Sequence, residues 1–217
     1  MSVQKVVIIG TGGFGREVLD VLEAVNQISP TYEITGFITE PGYHQPGDFL
    51  NDTPVLGYYD WLETHRQEVK AICGVGYPPT RKRLIEKAES IGVEFFSVIH
   101  PRALLTRWVT VGAGTIITAG CILTNQITLG DHVHVNLDCT IGHDAILEDF
   151  VTVSPGVHIS GNVTLKTGSF IGTGANLIEG KMVGEWSVVG AGSVVVKDIP
   201  PNVTAVGSPA KPIKQHK

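Results

Sequence analysis

Charge is scarce in this chain of 217 residues, of which only 17% are Asp, Glu, Lys or Arg. The 16 Lys and Arg are outnumbered by 21 Asp and Glu, for a formal net charge of −5. A chain short of positive charge argues against a nucleic-acid-binding face, which depends on clustered basic residues. Aromatic residues are also few, at 7%. No run approaches the ~18 apolar residues that a membrane-spanning helix needs. The first ten residues, MSVQKVVIIG, lack the long apolar stretch and cleavage site of a secretory signal. Three cysteines, Cys73, Cys121 and Cys139, offer neither a disulfide framework nor a metal-type spacing, which suits a reducing compartment. The expectation is a soluble cytoplasmic protein. Glycine, by contrast, is plentiful at 26 residues. Low charge with much glycine and valine favours regular β structure with tight turns over a helical bundle or a disordered chain.

The second half of the sequence is periodic. From Ile99 to Val195 an aliphatic residue returns at every sixth position, seventeen times without an insertion. The position four further on is small or aliphatic, as at Ala103, Cys121, Cys139, Ala145 and Ser193, except at Lys181. A bulge or a snorkelling side chain would accommodate that lysine. Glycine often follows the aliphatic residue, at Gly112, Gly130, Gly142, Gly172, Gly184 and Gly190, where a turn with positive φ is expected. Period six matches neither a helix nor a plain strand. It matches a short strand and a turn repeated, the hexapeptide signature of a parallel β-helix. Three hexads make one triangular coil, so residues eighteen apart stack. With coils ~4.8 Å apart, the prism is roughly 25 Å tall.

Residues 1–97 read as a separate α/β unit, and residues 98–217 as the β-helix with its C-terminal tail. In the first unit, Val6–Ile9 forms a buried strand, followed by Gly10-x-Gly12-x-x-Gly15 and a helical pattern through Val18, Leu19, Leu22 and Val25. Strands over Ile34–Thr39 and Ala71–Val75 and a helix from Thr80 to Ile91 complete a Rossmann-like βαβαβ alternation. The first unit carries 8 basic and 13 acidic residues, against 8 and 8 in the second. The glycine spacing fits the approach of a phosphate to backbone N–H groups at a helix N-terminus. Fewer than 100 residues are available, so a mononucleotide or nucleotide sugar fits better than a dinucleotide. A glycine turn without a ligand is the plainer alternative. Glu40, after the second strand, is placed to accept from a ribose or base.

Of eight histidines, His132, His134, His143 and His158 lie in the repeats, none at an inward aliphatic position, so all four are expected on faces or corners. No two histidines are separated by the four residues a shared zinc site of this fold would use, and no metal is expected. His143 stands apart because Asp144 follows it directly. An imidazole suits proton removal near neutral pH, and a carboxylate orients it. One coil later comes Gly161, whose N–H meets no side-chain obstruction. A base and a backbone donor are the minimum equipment for acyl transfer, although a lone surface histidine is more often simply solvated. Cys121 and Cys139, eighteen apart, read as small apolar residues stacked in the prism. Thr173 sits between Gly172 and Gly174, and the tail runs Gly207-Ser-Pro-Ala-Lys211, then Lys214 and Lys217. That basic end fits an anionic group or a solubilising terminus.

The hexads, Asn136…His143-Asp144, Gly161 and the terminal Gly-Ser-Pro-Ala-Lys together resemble left-handed β-helix acyltransferases. With the glycine-loop unit, the chain resembles the sialic acid O-acetyltransferase type, including the sugar-nucleotide N-acetyltransferases for bacillosamine and perosamine. The resemblance implies a homotrimer that binds acetyl-CoA between neighbouring prisms. It implies His143 as general base with Asp144 as its partner, and Gly161 N–H toward the thioester carbonyl. Asn136, Thr152, Gly172, Thr173, Gly174, Gly207 and Lys211 would face the coenzyme. Gly12, Gly13, Phe14, Glu40 and Gly76 would hold the nucleotide sugar. Uridine-binding relatives often carry an acidic pair after the second strand, where this chain reads Phe37-Ile-Thr-Glu40-Pro41. The expected activity is acetyl transfer from acetyl-CoA to the amino group of a nucleotide-linked deoxyamino sugar. O-acetylation of a sugar hydroxyl and a non-catalytic nucleotide-sugar sensor are the alternatives.

Overall fold

The computed structural model describes residues 3–216, in two units that meet in sequence at Pro101 and Arg102. The first unit is a five-stranded sheet. Its strands are β1 (Gln4–Ile9), β2 (Tyr32–Ile38), β3 (Phe49–Leu50), β4 (Thr53–Gly57) and β5 (Lys70–Cys73). The spatial order is β3-β4-β2-β1-β5. All pairings are parallel except the β3–β4 hairpin. The helices are α1 (Gly13–Ile28), α2 (Tyr59–His65) and α3 (Pro78–Ser90). Val6, Val7, Ile8 and Ile9 are fully buried or nearly so, as expected of a central parallel strand covered on both faces. On α1, Val18, Leu19, Val21 and Leu22 turn inward.

β3, β4 and α2 carry no clear sequence signal. Pro54 interrupts β4 and sits opposite Phe49 in the short hairpin, a position that tolerates a missing N–H. α2 has only seven residues, too few for a helical period to stand out. α3 starts at Pro78, two residues before the expected Thr80, because proline suits the first turn of a helix.

The second unit is a parallel β-helix. Short strands pair with those eighteen residues before and after, as in the ladder Val135, Val153, Ile171 and Val189. The aliphatic column is buried from Ile117 onward, Leu105 and Val111 are half-buried, and Ile99 is exposed. Each fully buried aliphatic side chain contributes on the order of 1.5–3 kcal/mol. Cys121 and Cys139 are buried in the same core. Their thiols donate to the carbonyls of Asn136 (3.0 Å) and Ser154 (3.1 Å). Lys181 causes no bulge, since Thr164 still pairs with Met182 and Leu165 with Val183, and the lysine is half-buried.

Two expectations are corrected. The glycines that follow the aliphatic residues do not adopt positive φ. They are glycine because the next coil leaves no room. A Cβ on Gly142 would lie 2.6 Å from Gly161 N, one on Gly172 2.6 Å from Ala191 N, and one on Gly184 against Pro201 N. Positive φ falls instead three residues after each aliphatic position, at all fourteen corners from Gly114 to Gly192. Only some of those corners are glycine; Gln126, His132, Asp138, Asp144, Phe150, Asn162 and Trp186 occupy others. The second correction concerns His132 and His134, which are buried, not projecting. His132 stacks on Phe150, with ring centroids 5.3 Å apart, and His134 lies in a strand between Ile116 and Thr152.

After the last coil, Val203–Val206 pairs antiparallel with Lys211–Gln215, so Lys211 and Lys214 stand on an ordered hairpin. Lys217 lies outside the described residues. The steric reading of the glycines predicts that Gly184→Ala destabilises the fold by about 1–3 kcal/mol, as overpacking does. Gly180→Asn, at an open corner with φ +70°, should change stability by less than about 0.5 kcal/mol. Chemical denaturation of both variants checks the contrast.

Candidate active site

In the first unit, a cavity of about 240 Å³ opens beyond the C-terminal ends of β1, β2 and β5. β1 lies between the other two strands, so this is the crevice where parallel α/β sheets bind ligands. Its walls include Gly12, Gly13 and Phe14 from the glycine loop, Glu40 and Tyr43 after β2, and Gly74, Val75 and Gly76 after β5. All five residues expected to hold a nucleotide sugar therefore meet in one cavity. A Cβ on Gly12 or Gly13 would touch nothing within 4 Å, whereas one on Gly15 would collide with Gly10 O. Gly15 thus serves helix packing, while Gly12 and Gly13 keep the lip open. Gly12 caps α1 without a side-chain hydrogen bond, leaving first-turn N–H groups available to an anion. Thr11 and Thr39 hydroxyls lie 3.3 Å apart beneath the loop.

Glu40 is already engaged. Arg83 donates to both its carboxylate oxygens, at 3.1 and 2.6 Å, and Lys87 Nζ lies 3.9 Å away. The Arg83 hydrogen bonds hold the Glu40 carboxyl below its ordinary range, against a smaller opposing effect of burial. Sequence reasoning missed Arg83. A charge at the sixth residue of a helix carries no sign of a partner 43 positions earlier.

In the second unit, His143 and Asp144 occupy one corner of the prism. Asp144 holds the positive-φ position, at +59°, and its N–H donates to Asn125 O at 3.0 Å. His143 Nδ1 lies 2.8 Å from Asp144 Oδ2. With Nδ1–H donating to that carboxylate, Nε2 is the nitrogen left to accept a proton. Both side chains are about half exposed. Gly161 lies against the ring, and a Cβ there would stand 2.5 Å from Cε1 and 2.6 Å from Nε2. Among the described residues, the Gly161 N–H has no acceptor. One coil further, Asn162 donates to Glu179 at 3.2 Å, a pair that the hexad pattern does not announce.

The other expected coenzyme residues are dispersed. Asn136 and Thr152 are buried, and Asn136 follows a different prism face from His143. Gly172 is fixed by the coil that follows it, while Gly174 is open. Thr173 is exposed between them. Gly207 N–H donates to Ser193 Oγ at 3.1 Å, and Lys211 is exposed at the start of the hairpin. Among the described residues no three His, Cys, Asp or Glu side chains converge as metal ligands, and no helix is long and apolar enough to cross a membrane.

A Rossmann-like unit followed by a left-handed parallel β-helix is the architecture of a class of acetyltransferases. Residues 5–88 match the PglD N-terminal domain family. The acetyltransferase domain of PglB from Neisseria gonorrhoeae FA1090 is 33% identical over 97% of this chain and 100% of that one, with a TM-score of 0.88. PerB from Caulobacter crescentus, solved with CoA and GDP-perosamine, is 29% identical over 98% and 99% of the two chains, also with a TM-score of 0.88. A Schizosaccharomyces pombe protein with acetyltransferase in its name shares 48% identity over 60 residues, which is 28% of this chain and 29% of that relative. The chain belongs to the hexapeptide-repeat sugar N-acetyltransferase family.

The Glu40–Arg83 pair yields a pH prediction. A depressed carboxyl pKa makes the pair's contribution to stability present above the unfolded pKa of Glu40 and lost as pH falls through the folded one. Arg83→Met should raise the Glu40 pKa toward or beyond the usual carboxylate range, read by carbon-detected NMR titration. An unmoved Glu40 titration would show that Arg83 is not its partner.

Proposed function

We propose that this chain, as a cytoplasmic homotrimer, transfers the acetyl group of acetyl-CoA to the amino group of a nucleotide-linked deoxyamino sugar. The observation that carries this reading is the His143 ring, tethered through Nδ1 to Asp144 and seated on Gly161. The amine nitrogen attacks the thioester carbon, and His143 Nε2 removes a proton from that nitrogen. Gly161 N–H donates to the oxyanion of the tetrahedral intermediate. As the carbon–sulfur bond breaks, His143 returns the proton to the departing thiolate. Asp144 stabilises the imidazolium formed between these steps. Orientation of the two substrates supplies much of the remaining acceleration.

Gly12, Gly13, Phe14, Glu40 and Gly76 are assigned to the nucleotide sugar, with the diphosphate at the start of α1. Asn136, Thr152, Gly172, Thr173, Gly174, Gly207 and Lys211 are assigned to the coenzyme. The perosamine N-acetyltransferase of Caulobacter crescentus, crystallised as a variant with CoA and GDP-perosamine, supports these two ligand classes and transfer to nitrogen. Exposed Leu104, Ile122, Leu137, Ile146, Ile178 and Met182 give the outer surface of the prism an apolar character, which supports burial against further copies of the chain.

His143→Ala should lower kcat by roughly 10²–10⁴ in a coupled assay of thiol release, with circular dichroism unchanged. Near-wild-type turnover would reject His143 as the base. Sedimentation equilibrium should return three times the 23.2 kDa chain mass, and a monomer mass would reject the trimer.

A further inference from the structure

We propose that Arg81 is a positioning residue of the nucleotide-sugar cavity: its buried guanidinium sets the wall formed by Val75 and Gly76 opposite the glycine loop. This inference rests on the assignment of that cavity to the nucleotide sugar. Only four residues, Gly74 to Tyr77, connect the end of β5 to the start of α3. Gly74 N–H makes the last ladder bond, to Ile9 O at 2.8 Å. Beyond it the Val75 and Gly76 carbonyls lie outside both sheet and helix. Arg81, on the first turn of α3, reaches back to them. Its Nη1 donates to Val75 O at 3.1 Å and to Gly76 O at 2.9 Å.

Arg81 has no exposed surface. Desolvation pushes its pKa down to about 9, so the charged form is held at a cost that an apolar residue would not incur. Hydrogen bonds from an ionised donor are stronger than neutral ones, and those to Val75 and Gly76 end on cavity-lining residues. The wall also bears on the opposite side. The place of a Cβ on Gly10 lies 2.8 Å from Val75 Cγ2, and that of a Cβ on Gly74 lies 2.6 Å from Gly15 Cα. A displaced Val75 therefore disturbs the loop that carries Gly12 and Gly13. Arg83, two residues on and on the exposed side of α3, holds Glu40, so side chains from two faces of the one helix bear on two walls of the cavity.

The test uses full-length Arg81→Lys and Arg81→Met, with a panel of UDP-, GDP- and dTDP-linked 4-amino-4,6-dideoxyhexoses. With the sugar that wild type acetylates fastest, Arg81→Met should raise the sugar KM about 10- to 100-fold, the scale of a lost charged hydrogen bond. The acetyl-CoA KM and kcat should stay within about twofold of wild type, and Arg81→Lys should recover part of the loss. An unchanged sugar KM, or an equal rise in both KM values, overturns the inference. If both variants fail to fold, hydrogen exchange at residues 74–77 of wild type decides: slowing on addition of the sugar supports the role, and no change overturns it. If wild type acetylates no sugar on the panel, the proposed activity fails. Calorimetric titration of UDP, GDP and dTDP into folded variants then still reads Arg81, with weaker binding expected and equal binding to wild type overturning it.

Discussion

Backbone hydrogen bonds from each coil to the next, between residues seventeen apart, fix the height of each coil in the β-helix, as in Gly142 N–H to Ile159 O and Ile146 N–H to Val163 O, at 2.8 and 2.9 Å. That spacing is too short for a Cβ at the tightest point of the turn, which explains the glycines at 142, 172 and 184. It also forces each corner into positive φ, whatever residue stands there. Asp144 is one such corner, and its left-handed backbone aims the carboxylate at the preceding imidazole. Gly161 is then a structural requirement and, in the proposed mechanism, a chemical one. Without a side chain it admits the His143 ring, and its N–H, which has no acceptor among the described residues, remains beside that ring. The candidate active site is therefore a product of coil stacking more than of any local motif.

The regular part of this architecture is legible because its period is strict. Seventeen aliphatic residues at spacing six leave no other fold, and the structure seats nearly all of them inside. The purpose of the glycines is less legible. A one-dimensional pattern shows which residue lacks a side chain and not whether torsion or clearance demands it. His132 and His134 illustrate the same limit. Their hexad positions point outward, but an imidazole stacked on Phe150 or set within a strand between Ile116 and Thr152 loses its access to water. The α/β unit is readable where strands are long and apolar, at Val6–Ile9, and unreadable where a proline-bearing strand and a seven-residue helix intervene.

The site divides in the same way. His143, Asp144 and Gly161 could be paired from sequence because an eighteen-residue repeat converts separation into proximity. Gly12, Gly13, Phe14, Glu40 and Gly76 converge because parallel strands deliver their following loops to one edge of the sheet. The cations that shape that cavity, Arg81 and Arg83, sit on a helix whose face toward the sheet is not marked by any motif. Sequence placed Glu40 and Gly76 in the cavity; only the fold shows that Glu40 is already bound and that two loop carbonyls hang from a buried guanidinium.

The most direct test of the account is a crystal structure of the chain with acetyl-CoA bound. The account predicts the thioester carbon within reach of His143 Nε2 and its carbonyl oxygen accepting from Gly161 N–H. A thioester seated at another corner of the prism, away from both groups, would contradict it.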